Sequence, residues 1–197
     1  MVDQDKVERA VRMLLEGLGE DPDREGLLET PARVARMYAD TLVRGMGEDG
    51  REHLSKTFDV KSHDLVIERD IPFYSLCEHH LLPFYGTVCV GYVPRDPALP
   101  GGGRVAGLSK LARTVETFAR RLQLQEQMCG QIADALMKHL DAEGAIVLVE
   151  AEHMCMTMRG VQKPGTKTTT LALRGTFESD PALEQRFFRM LGRSSRP

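Results

Sequence analysis

Two short clusters hold the residues best suited to chemistry: Cys77-Glu78-His79-His80 and His153-Met154-Cys155. Together they offer two thiols and three imidazoles, donor types that zinc prefers. Two residues separate Cys77 from His80, so one tight turn can grip a metal from two sides. His153 and Cys155 follow Ala145-Ile146-Val147-Leu148-Val149-Glu150-Ala151, an apolar run that reads as a strand. Side chains two apart on a strand share a face, so His153 and Cys155 are expected to point at one spot.

Counting ligands decides what such a metal could do. A structural zinc is closed by four protein ligands, whereas a catalytic zinc keeps three and an open place for water. Cys77, His80 and Cys155 make three, leaving His79 and His153 beside the metal as acid–base groups. Water in the open place can ionise near neutral pH and become a nucleophile. Two other readings fit the same spacing. His79 or His153 could close the site as a fourth ligand, or the clusters could be unlinked core cysteines and surface histidines. Cys89, in an alternating apolar segment, and Cys129, in a helical one, read as packing residues.

The elements that must position these groups follow from periodicity. Val7, Ala10, Val11, Leu14, Leu15 and Leu18 predict an amphipathic helix ending near Gly19. Thr30-Pro31 reads as an N-cap followed by proline at the first helical position, with Val34, Met37, Tyr38 and Leu42 as the apolar stripe. Residues 45–55 read as a polar connection. Leu65-Val66-Ile67 begins a strand that leads through Pro72 to the first cluster, and residues 86–93 alternate through Val88, Val90 and Tyr92. Residues 94–103 hold three prolines and Gly101-Gly102-Gly103, the composition of a flexible loop. Two helices follow, striped by Leu108, Leu111, Val115, Phe118 and Leu122, then by Met128, Ile132, Ala135, Leu136 and Leu140. Gly144 opens the next strand, residues 166–177 make the last one, and Asp180-Pro181 starts a final helix.

Short strands joined by local connections imply an α+β domain, an antiparallel four-stranded sheet with helices on one face. Open sheet edges favour oligomerisation. With 197 residues, 42% of them hydrophobic, the chain can bury one compact core: a helical arm over residues 1–50 and a domain over 51–197. A net charge of −3 gives no global signature of nucleic-acid binding. No run is apolar and long enough to span a membrane, and the acidic start does not resemble an export signal. A reducing cytoplasm therefore suits the four cysteines better than a disulfide framework.

Four segments in order resemble the GTP cyclohydrolase I family: Ser75-Leu76-Cys77-Glu78-His79-His80, Gly107-Leu108-Ser109-Lys110, residues 121–126 and residues 150–159. The resemblance runs from about Glu29 to the C-terminus. It implies the tunnelling fold, with an antiparallel four-stranded sheet backed by two helices. It also implies a toroidal decamer with active sites between subunits. The implied reaction converts GTP and water to formate and 7,8-dihydroneopterin triphosphate, the entry to tetrahydrofolate and other pterins.

The resemblance also implies residue roles. Cys77, His80 and Cys155 match zinc ligands; His153 matches the proton donor to purine N7, and His79 a later proton-transfer group. Ser109 and Lys110 match residues near ribose and triphosphate. Glu126 matches the carboxylate that holds guanine, whose N1–H and 2-amino group are paired donors that an acceptor-only carboxylate can take. Lys110, Arg113 and Arg159 suit the triphosphate, and Arg33 and Arg36 match basic residues reaching across a subunit boundary. Arg120 and Arg121 read as surface. The sequence departs from the family pattern in a longer 97–104 loop and in Lys163-Pro164-Gly165-Thr166-Lys167 before its threonine run. The competing expectations are a tunnelling-fold purine or pterin binder with different chemistry, using a thiol unclaimed by metal, and an inactive zinc-binding paralogue.

Overall fold

The computed structural model describes residues 2–192. Residue 1 and residues 193–197, the outer ends of the two units expected from the sequence, lie outside the described residues. Helix α1 (Gln4–Gly17) starts at Asp3, whose carboxylate accepts from Lys6 N at 2.9 Å. It packs against α2 (Thr30–Met37), which runs on through a wider π-helical turn at Tyr38–Leu42. Thr30 is not the N-cap: that place falls to Glu29, and Thr30 opens the helix with Pro31 behind it. No residue of α1 is buried, and Met13, Leu14 and Leu18 of its apolar side are exposed.

The short helix α3 (Arg51–Leu54) interrupts what reads as a polar connection. Its one apolar residue, Leu54, is fully buried in the main core. Arg121 clamps the preceding segment instead of lying on the surface. Its Nη2 donates to the carbonyls of Gly45, Glu48 and Thr117 at 2.7, 2.8 and 2.9 Å. A single apolar residue among charges has no periodicity, and a guanidinium's partners are not visible in sequence, so neither feature could be read in advance.

The central sheet contains β2 (Val66–Cys77), β3 (Pro83–Val93), β6 (Gly144–His153) and β7 (Lys167–Gly175), all antiparallel neighbours. A fifth strand, β5 (Leu122–Gln123), adds a two-residue parallel edge beside Leu76 and Cys77. The four-stranded expectation is corrected to five, since two residues are too few to show a period. The remaining strands, β1 (Thr57–Asp59) and β4 (Arg104–Ala106), form a separate ribbon. Its Arg104 guanidinium donates to Thr57 Oγ1 and Asp59 Oδ1, both at 2.7 Å.

The glycine run ahead of β4 is ordered by close contacts. A Cβ on Gly102 would stand 1.8 Å from the Asp96 carbonyl oxygen, and Gly103 has φ +71° with its N–H bonded to Arg95 O at 2.9 Å. These glycines serve close backbone approach, where the composition suggested flexibility.

Alternation assigns the two sheet faces. Phe84, Val88, Val90 and Tyr92 of β3 and Ala145, Val147, Val149 and Ala151 of β6 face α4 (Leu108–Ala119) and α5 (Gln125–His139). Those helices bury Leu111, Val115 and Phe118, and Met128, Ile132 and Leu136. The opposite face is also covered at one end, which corrects the one-sided picture. There Cys89, Val93, Ile146 and Leu148 meet Phe177 of α7 (Thr176–Ser179) and Phe187 of α8 (Pro181–Met190). Asp180 caps α8 as its sequence suggests, accepting from Ala182 N at 2.9 Å.

Leu54→Ala tests whether α3 belongs to the core. Removing a fully buried leucine side chain costs about 2–5 kcal/mol. The urea midpoint at fixed protein concentration should fall accordingly, whereas an unchanged midpoint would show that α3 is an appendage.

Candidate active site

Strand β2 delivers Cys77 to a tight turn. Cys77 N donates to Leu82 O and Leu81 N donates to Cys77 O, both at 2.9 Å, and Leu81 takes the left-handed conformation at φ 55°. The turn folds His80 back, leaving its Nδ1 3.8 Å from Cys77 Sγ. Cys155 arrives from the other side of β3. The chain leaves β6 at His153 and enters the single helical turn α6 (Met154–Thr157). His153 and Cys155 therefore do not share a strand face as their spacing suggested. The helical turn rotates Cys155 away from His153 and toward Cys77.

The donor atoms of Cys77, His80 and Cys155 lie within 4.8 Å of one another. Neighbouring donors on a tetrahedral ion with bonds of about 2.0–2.3 Å stand about 3.5–3.8 Å apart, so these three fit one metal ion. The protonation chemistry agrees. Burial, and then the neighbouring Cys77, raise the Cys155 thiol above its ordinary value. A cation between the two sulfurs would reverse that repulsion and hold both as thiolates. Neither His79 nor His153 belongs to the three-donor set. Cys129 does not compete as a ligand: burial pushes its thiol up to about 11, and its Sγ donates to Val147 O at 3.2 Å.

The free imidazoles have distinct surroundings. His79 is exposed and stands edge-on to His80, with ring centres 6.2 Å apart. His153 is half-buried and lies flat on Phe84, with centroids 4.6 Å apart and planes 1° from parallel. Its Nε2 is 2.7 Å from Gln125 Oε1. Burial lowers the His153 pKa from its ordinary value, and the nearby Glu126 charge partly opposes the shift. Glu126 itself is exposed in the first turn of α5. Arg159 Nη1 lies 2.7 Å from His80 Nε2. Gln125 is the participant that sequence reading missed. A polar residue beside Glu126 gives no hint that its amide is buried and fully bonded.

The other expected site residues lie elsewhere on the chain. Leu76 of β2 meets Leu122 at the metal end of the sheet, just past the end of α4, while Ala106, just before α4, donates its N–H to Tyr92 OH at 3.1 Å near the far end of β3. Helix α4 advances about 1.5 Å per residue, so its first turn is set back from the metal end by about 15 Å. Ser109 and Lys110 sit in that first turn. Arg113 lines a cavity of about 420 Å³ with Arg44, Glu52, His53 and Glu116. Arg36 is exposed on α2, and Arg33 there pairs with Glu29. One chain thus gathers Cys77, His79, His80, His153, Cys155, Glu126 and Arg159, and leaves Ser109, Lys110, Arg113, Arg33 and Arg36 apart.

Three clustered donors that could hold one metal ion, with two further imidazoles alongside, are carried on a β2-β3-α4-α5-β6-β7 core, an α+β protein with the strand and helix order of the tunnelling fold. The sequence profile of GTP cyclohydrolase I matches residues 7–192, and the chain belongs to that family. A GTP cyclohydrolase 1 of Clostridium perfringens is 54% identical over 97% of this chain and 99% of its own length. One from Bacillus cytotoxicus is 57% identical over 92% of each chain. Among solved structures, an archaeosine synthase QueF-like protein in the apo form aligns over 58% of this chain and 97% of its own, with a TM-score of 0.44 and 20% identity.

Metal content of purified variants tests the three-donor set. Cys77→Ser and Cys155→Ser should each lose the ion, because serine is a poor ligand for it, while Cys129→Ala should retain it. Full retention by Cys155→Ser would remove that residue from the site.

Proposed function

We propose that this chain is a zinc-dependent GTP cyclohydrolase I. It takes GTP and one water to formate and 7,8-dihydroneopterin triphosphate, at the entry to tetrahydrofolate and other pterins. The observation that carries the reading is the Cys77–His80–Cys155 cluster with His153 and Glu126 alongside, in a chain of this family. Two thiols and an imidazole suit zinc. When bound, zinc acts as a Lewis acid and lowers the pKa of water toward neutrality, supplying the nucleophile.

The protein's own groups do the rest. His153 donates a proton to purine N7, which makes C8 electrophilic; burial, by disfavouring the imidazolium, makes it a readier donor. Glu126 accepts from guanine N1–H and the 2-amino group. Arg159, beside the metal cluster, holds triphosphate oxygens. His79 and Ser109 assist the later sugar rearrangement and closure of the pterin ring.

The full site needs a second copy of the chain. Ser109 and Lys110 are set back along α4, so they serve the metal centre of a neighbouring subunit, together with Arg113, Arg33 and Arg36. The exposed apolar side of α1 and the open edges of the sheet support assembly into a homo-oligomer, as a toroidal decamer of residues 1–50 as arm and 51–197 as catalytic domain. Among the described residues no helix is long and apolar enough to cross a membrane, which agrees with a cytoplasmic site of action. Reductive chemistry on the same fold would need a reactive, accessible thiol outside the metal cluster, and the two remaining cysteines, Cys89 and Cys129, are both buried.

Metal-loaded protein incubated with GTP should release formate and a pterin that fluoresces after oxidation, and ATP should yield neither. Glu126→Ala should abolish GTP turnover with the metal still bound, because it removes the acceptor for guanine N1–H and the 2-amino group. His153→Ala should also keep the metal and lose about a hundredfold to ten-thousandfold in rate. Equal turnover of ATP and GTP would sink the guanine-reading role.

The composite site has its own test. Lys110→Ala and His153→Ala chains, each nearly inactive, should regain activity when co-assembled. Random mixing restores both residues at about one site in four. No recovery in a verified mixed oligomer would place both residues in one subunit's site.

A further inference from the structure

Gln125 opens α5, is 1% exposed, and has every polar atom of its side chain engaged. Its Nε2 lies 3.1 Å from Val149 O, 3.0 Å from Thr168 O and 3.2 Å from Thr170 Oγ1. Two of these partners are main-chain carbonyls, which only accept hydrogen bonds. The amide nitrogen must therefore face the strands, because the reversed amide would set its oxygen against two carbonyl oxygens. That leaves Oε1 toward His153, 2.7 Å from Nε2. An amide oxygen also only accepts, so His153 Nε2 carries the proton. A neutral imidazole has one N–H, and its lone pair is then on Nδ1.

The ring lies flat against Phe84, which is fully buried and pairs with His153 across the β3–β6 ladder. A half-turn about Cβ–Cγ would keep that stacking but put ring carbon Cε1 in place of Nε2 against Gln125 Oε1, so the hydrogen bond itself selects this orientation.

We propose that Gln125 is a positioning residue that fixes the tautomer and orientation of His153, leaving Nδ1 as the nitrogen that exchanges a proton with substrate. This rests on the acid–base role of His153 given above. Gln125 acts through the imidazole and does not touch the reacting atoms. Its two β-strand anchors tie the direction of that proton transfer to the β6–β7 pairing.

Histidine-selective 15N NMR of the metal-loaded protein without substrate tests the assignment directly. The neutral form of His153 should show a protonated Nε2 and an unprotonated Nδ1; the opposite tautomer overturns the proposal, whatever any variant does. In Gln125→Leu the two nitrogen shifts should move toward each other as the tautomers mix, with metal content unchanged. Its kcat should fall by about tenfold to a thousandfold, no more than in His153→Ala, while KM for GTP stays within about threefold. The double variant Gln125→Leu/His153→Ala should be no slower than His153→Ala alone, because residues acting as one unit are not additive. A double variant slower by the product of the two single losses would assign Gln125 a purely structural role. Wild-type release of formate from GTP is read separately, so its failure would sink the proposed reaction while leaving the tautomer assignment standing.

Discussion

The pairing of β3 with β6, from Phe84–His153 to Val93–Gly144, is the contact on which the rest of the structure depends. It brings together two clusters that stand more than 70 positions apart in the chain. Cys77 ends β2, which pairs with β3 on one side; His153 ends β6, which pairs with β3 on the other. The approach is close. A Cβ on Gly86 would stand 1.9 Å from the Glu150 carbonyl oxygen, so a side chain there would force the strands apart at the metal end. A slip of one residue in this register would turn His153 to the opposite face and away from α5.

The start of α5 is the second point where fold and chemistry meet. Gln125 and Glu126 are adjacent, and helical geometry sends them different ways. The first is buried against β6 and β7, and the second is exposed, with its charge felt at His153. Burial of His153 disfavours its charged form, and the carboxylate one residue from its amide partner partly restores it. The imidazole's charge and direction are thus set from one helix turn.

The single chain gathers the three metal donors with His153, Glu126 and Arg159 beside them, and leaves Lys110, Arg113, Arg33 and Arg36 apart. That division follows from the length of α4. Its last residues reach the metal end beside β5, and its first turn, with Ser109 and Lys110, is left at the other end. Arg121 and Leu54 hold the segment before β1 against the same helix, and Arg33, Arg36 and Arg113 are exposed. An open sheet edge and an uncovered apolar helix face on the same molecule are the usual physical grounds for self-association.

Much was legible in the amino-acid sequence because the signals were local. Donor types and short spacings marked Cys77, His80 and Cys155. Alternation marked β3, period-3.6 stripes marked α4 and α5, and Asp180-Pro181 marked the start of α8. What required tertiary structure was every feature set by partners distant in the chain. A two-residue strand, a lone buried leucine in α3, the Arg121 clamp and the bonded amide of Gln125 have no period to betray them. The exit of Cys155 from the strand is the clearest case. The spacing from His153 to Cys155 is compatible with one strand face, but β6 loses its last partner at His153 and the backbone turns helical at Met154. Side-chain identity thus determined which groups could bind a metal, and the strand register with its ending determined which of them are brought together to do so.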